Sequence, residues 1–110
     1  MTEKILIPLY GDDVSPRFDL ATEVLMAVMD PGGERIEERM VVLPEASAEK
    51  LCHLVLTENI TVVICGGIEE EYYQYLKWKR VSVVDAVAGA YQSALKRFAE
   101  GRLQPGDTCY

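Results

Sequence analysis

A thiol and two glycines close a β-branched run in Thr61-Val62-Val63-Ile64-Cys65-Gly66-Gly67-Ile68. Cys65 offers a soft sulfur of the kind that binds copper, iron or an iron–sulfur unit, or else serves as a small buried hydrophobe. Gly66 and Gly67 either bring backbone N–H groups close to a ligand at the start of a helix or make a tight strand-to-helix turn. No third glycine follows at dinucleotide-binding spacing. A second stretch, Asp12-Asp13-Val14-Ser15-Pro16-Arg17-Phe18, supplies a cation. The Arg17 guanidinium suits an oxyanion or an anionic cluster, unless Asp19 or another nearby acid takes it. Ser15 and Phe18 flank it and belong to the same candidate site. Glu69-Glu70-Glu71 comes directly after the glycine turn. Acids in a first helical turn favour the helix by about 0.3–1 kcal/mol each, and they oppose an anionic ligand at the same terminus.

Other reactive residues are scattered. His53 is the one histidine, and it adjoins Cys52 within an expected helix. Neighbouring helical residues point about 100° apart, so the two are no chelating pair by themselves. His53 reads as a surface or half-buried residue or, with Cys65, as a metal ligand. Three cysteines without a CxxC argue against a disulfide framework and against an ordinary zinc site, and Cys109 is expected in a flexible end. No Ser/His/Asp or Cys/His constellation supports hydrolysis.

The elements that would hold these residues follow from pattern. Lys4–Leu9 reads as a strand, with Pro8 near its end, and Tyr10–Phe18 as a loop. Glu23–Asp30 and Arg35–Leu43 surround Asp30-Pro31-Gly32-Gly33 and form a hairpin. Ala46–Glu58 is a helix on the spacing of Leu51, Leu54 and Val55, with Ser47 as its N-cap and Asn59 at its C-terminal end. Thr61–Cys65 is the central strand, Glu69–Lys79 a second helix and Val81–Val84 a last strand. A third helix starts at Asp85 or Gly89, runs to Glu100 and closes at Gly101, leaving Gln104–Tyr110 as a polar tail. Tyr72, Tyr75 and Leu76 share one face of the second helix, and its remaining aromatics suit a partner or self-association.

The order β-β-β-α-β-α-β-α implies an α/β fold: an antiparallel meander joined to parallel crossover units, in one mixed five-stranded sheet with helices on both faces. This is the element order of a three-layer, ribonuclease H-like topology. Nucleases of that topology place an aspartate within the first strand, whereas Ile5-Leu6-Ile7-Pro8-Leu9 has no acid. At 110 residues one domain is expected, spanning 1–103, followed by the tail 104–110. A net charge of −7 argues against nucleic acid and against anionic membranes. No run approaches the ~20 apolar residues of a membrane span, and the N-terminus lacks a secretory pattern, so a cytoplasmic protein is expected.

The Asp12–Phe18 loop, Val62–Ile68 and the closing segment Ala94–Leu103 together resemble the dinitrogenase iron–molybdenum cofactor biosynthesis domain family over about residues 4–103. The resemblance implies a small non-enzymatic protein that binds or carries an iron–molybdenum or molybdenum–copper sulfide cluster. Its site would lie between the first loop and the glycine turn, with Ser15, Arg17, Phe18, Cys65, Gly66 and Gly67 as binding residues. The alternative is an interaction or regulatory module that keeps the fold without a cluster. The expected partner is accordingly an anionic metallocluster or a protein, and the expected state a monomer or weak homodimer. Where the family often has His-Phe-Gly this chain has Arg17-Phe18-Asp19, and where the family often follows Gly-Gly-Ile with glycine it has Glu69.

Overall fold

The computed structural model describes residues 2–110. Strand β1 (Glu3–Tyr10) is the axis of the sheet, because Ile5, Leu6 and Ile7 have no exposed surface on either face. A continuous apolar run of this kind is what a strand covered on both sides requires. The strand outlasts its expected end at Leu9. A two-residue strand, β2 (Asp13–Val14), pairs antiparallel with it at Leu9 and Tyr10, beyond Pro8. A single 3₁₀ turn, Phe18–Leu20, then leads to β3 (Glu23–Met29) and β4 (Arg35–Val42). The hairpin between them turns on Asp30, whose Oδ1 accepts from the backbone N–H of Gly32 and of Glu34 at 2.9 Å each.

Helix α1 (Ala48–Thr57) starts at Ser47, whose hydroxyl accepts from Lys50 N–H at 3.2 Å. Strand β5 (Val62–Ile64), helix α2 (Glu70–Trp78), strand β6 (Ser82–Val84) and helix α3 (Tyr91–Ala99) follow. All three helices close alike. Asn59, Arg80 and Gly101 adopt positive φ, and the next residue's N–H reaches back to Val55, Leu76 and Arg97 respectively. This left-handed closure satisfies carbonyls that the helix end would otherwise strand.

Five strands run in the order β4-β3-β1-β5-β6, with β2 beside β1. Pairing is antiparallel among β4, β3 and β1 and parallel among β1, β5 and β6, so the fold is a mixed α/β sheet. Side chains alternate between two cores. Leu6, Val24, Met26, Val63 and Val83 meet α1 and α2 on one face. Ile5, Ile7, Leu25, Ala27, Val62 and Ile64 meet α3 on the other. No helix among the described residues is long and apolar enough to cross a membrane.

Several further expectations are corrected. The middle strand of the five is β1, and the strand expected there, at Thr61–Cys65, stands beside it as β5. On α2 Tyr75 is exposed although Leu76 is buried, and Tyr73 packs on the α1/α2-side core instead. The third helix begins at neither Asp85 nor Gly89, because residues 88–89 form a strand, β7 (Ala88–Gly89), ahead of Tyr91. Residues 104–110 are not a tail separate from the domain. Thr108–Cys109 form β8, parallel to β7, and Cys109 lies fully buried in the α3-side core beside Leu103. Hydrophobic burial of the Cys109 side chain and the β7 backbone hold this end in place. Gly89 makes the clasp possible: its φ is +105°, and a Cβ would overlap the Cys109 carbonyl oxygen. Gly89→Ala is therefore expected to cost about 2–3 kcal/mol, the range of overpacked sites. Thermal unfolding should show Tm lower by roughly 10 °C. A fall under about 3 °C would mean that the clasp contributes little to the fold.

Candidate functional site

The C-terminal edge of β1 and β5 is where open α/β sheets usually bind ligands. Here two segments lock together across that edge. Gly67 N–H donates to Pro16 O at 2.7 Å, and Phe18 N–H donates to Gly67 O at 2.8 Å. Arg17 and Gly67 thereby form a parallel bridge. Gly66 O accepts from Ala86 N–H, and Cys65 O from Val87 N–H, at 3.0 Å each. Gly66 has to be glycine: a Cβ would overlap Ser15 O and stand 2.7 Å from Pro16 O. At Gly67 the same addition stands 3.2 Å from Pro16 O.

Two depressions flank Pro16. One, of about 600 Å³, is lined by Tyr10, Ser15, Arg17, Leu20 and Glu23 among others. The second, of about 350 Å³, is lined by Tyr10, Asp13, Gly66, Gly67, Gly89 and Tyr110 among others. Ser15 is buried and orders the loop, its hydroxyl donating to Arg17 O at 3.0 Å. The Arg17 side chain forks onto Asp19, with Nε donating to Oδ1 at 3.0 Å and Nη2 to Oδ2 at 2.7 Å. That pairing raises the guanidinium pKa and lowers that of Asp19, and Glu69 adds to the rise at Arg17. Among the described residues no protein acceptor meets Arg17 Nη1.

The other expected site residues lie elsewhere. Phe18 is buried in the α1/α2-side core, so only its backbone takes part in the edge. Cys65 lies in the same core without exposure, and burial pushes its thiol up to about 12, with a smaller contribution from Asp85. A neutral, buried thiol is a poor metal ligand, since the thiolate is the binding form. His53 stands on the exposed side of α1 and lines neither depression. No group of three or more His, Cys, Asp or Glu positioned to hold a metal ion occurs among the described residues. The edge therefore gathers Ser15, Arg17, Gly66 and Gly67, with Cys65 beneath it and His53 apart.

Three rim residues were not singled out in the sequence. Tyr10, Leu20 and Tyr110 are 75%, 60% and 86% exposed around the depressions. Tyr10 ends a buried strand, which is the one local signal for it. Tyr110 reaches the rim only because β8 docks on β7.

Replacing either glycine tests the lock. Gly66→Ala is expected to cost roughly 3 kcal/mol and Gly67→Ala about 1 kcal/mol in urea unfolding, because the first collides with backbone and the second only crowds it. Equal costs, or the reverse order, would contradict this geometry. The cysteines offer a second test. All three are buried and free, and burial raises the thiol pKa of each, to about 11 at Cys52. At pH 8 the folded protein should leave a disulfide-exchange reagent unreacted over minutes, while urea releases all three thiols. Rapid native labelling of Cys65 would show that the sulfur reaches the surface.

Residues 3–101 match the sequence profile of the dinitrogenase iron-molybdenum cofactor family. No curated protein matches the chain. Among solved structures, PH0822 superposes with a TM-score of 0.84 at 22% identity, over 93% of each chain. MJ0327 from Methanocaldococcus jannaschii gives 0.77 at 23% identity, over 94% of each. The apo form of the orange protein from Desulfovibrio gigas gives 0.71 at 19% identity, over 94% of this chain and 92% of that one. At such identities these structures speak for the fold, and the profile match speaks for descent. The chain belongs to the dinitrogenase iron-molybdenum cofactor family.

Proposed function

We propose that this chain is a cytoplasmic, non-catalytic protein that takes up a metal–sulfur cluster as cargo at the Pro16 cleft. The observation that carries the reading is the lock between Ser15–Phe18 and Gly66–Gly67, which holds Arg17 beside a fixed depression of about 600 Å³. Family membership supports a metallocluster-related role. The strand order β4-β3-β1-β5-β6 supports reading the fold as ribonuclease H-like, and β1 has no acid between Ile5 and Leu9 to serve nuclease chemistry.

The donor set does not fit ligation of a metal by side chains. Cys65 is sealed in the core and His53 lines neither depression. Gly67 N–H is already bonded to Pro16. What the cleft offers is the Arg17 guanidinium, through the edge that Asp19 leaves free, and the apolar surfaces of Tyr10 and Leu20. Cargo is therefore held by charge-assisted hydrogen bonds and contact rather than by thiolate.

The test is anaerobic incubation with tetrathiomolybdate and copper, followed by desalting, metal analysis and visible absorption. The parent protein should retain metal, Arg17→Gln should lose roughly tenfold in retention, and Cys65→Ala should retain as much as the parent. Loss on Cys65→Ala with none on Arg17→Gln would overturn this mode of holding.

A second reading, an interaction module without a cluster, is favoured by the acids at the cleft. Glu23 lines it, Asp13 lines the depression on the other side of Pro16, and the field of Glu69 reaches Arg17. No metal retained by the parent protein would decide for this reading.

A further inference from the structure

Helix α2 carries opposite charge at its two ends. Its start presents Glu69, Glu70 and Glu71, and its end presents Lys77, Lys79 and Arg80, all exposed. None of these six residues joins any ion pair found among the described residues. Between the two ends lies an outward apolar stripe. Leu76 is fully buried and fixes which side of the helix faces the core, leaving Tyr75 37% and Trp78 73% exposed. The rings of Tyr75 and Trp78 pack with centroids 6.3 Å apart, and Lys79 Nζ sits 4.5 Å from the centre of the Trp78 ring. Glu71, Tyr75 and Trp78 follow i, i+4, i+7 spacing, so they form one continuous row.

We propose that this face is a self-complementary interface, on which a second copy of the chain docks with its α2 antiparallel to the first. The register follows from the sequence. Tyr75 is midway between Glu71 and Lys79. A two-fold axis through Tyr75 sets Glu71 of each copy against Lys79 of the other, and it brings Tyr75 against Tyr75. Each favourable contact then occurs twice, as an isologous interface requires. Trp78 covers the first turn of the opposite helix. The antiparallel arrangement also sets the positive end of each helix dipole beside the negative end of the other. An unrelated acidic or basic peptide would satisfy one end of the row and repel the other. A second copy satisfies both. The surface is separate from the Pro16 cleft, and the inference does not depend on what the cleft holds.

The experiment uses the full chain with sedimentation velocity over a concentration series at about 0.15 M salt, where surface charges are screened beyond ~8 Å. The weight-average mass should rise from one chain toward two. The emission of Trp78, the one tryptophan, should shift to the blue over the same range. Glu71→Lys alone and Lys79→Glu alone should each weaken self-association by at least about tenfold, since like charges then face each other twice. An equimolar mixture of the two variants should restore it, because the mixed pair recovers both contacts. Trp78→Ala should weaken it without affecting metal retention. A chain that remains monomeric throughout overturns the proposal. So do dimers indifferent to both charge changes, and so does a mixture that fails to recover.

Discussion

One strand has to be buried on both sides, and the architecture answers that demand. Ile5, Leu6 and Ile7 alternate between the two faces of β1 with no exposure. A single helical layer would leave half of this run in water. The chain therefore places α1 and α2 on one face and α3 on the other, with β3 and β5 as lateral neighbours. Once β1 is central, its C-terminal end is flanked by the turn that leaves β5, and that juxtaposition brings Pro16 against Gly66 and Gly67.

The edge so formed is tightly bonded within itself. Its glycines, which invite comparison with phosphate-cradling turns, hold neighbouring backbone instead. Gly67 uses both its N–H and its carbonyl on the Pro16–Phe18 segment, while Gly66 allows an approach that a methyl group would block. The polar groups of Gly67 are thereby taken up within the fold. Arg17 is the only cation among the residues lining the two depressions, and it shares its charge with Asp19.

Much of this was legible in the chain. The apolar run of β1, the Pro-Gly-Gly hairpin, the Ser47 cap and the left-handed Asn59 are local signals, and each acts through neighbours a few residues away. The position of Cys65 was open to both readings, although alternation along β5 continues from Val63 to Cys65 on the α1/α2 side. The clasp of β7 and β8 was not legible. Two-residue strands carry no periodicity, and Gly89 marks a close approach to Cys109 that only the assembled fold creates. The place of Tyr110 on the cleft rim has no local signal either, since it depends on the pairing of Cys109 with Gly89.

That clasp also makes the two faces of the sheet unequal in time. Every fully buried residue of the α1/α2-side core lies between Leu6 and Val83. The α3-side core draws on Leu103 and Cys109. As the chain is made from its N-terminus, one face has all its parts some 25 residues of synthesis before the other. Over that interval the cluster that contains Ile5, Ile7 and Leu9 lacks Leu103 and Cys109. The vectorial order of synthesis thus gives this sheet a face that closes early and a face that closes late.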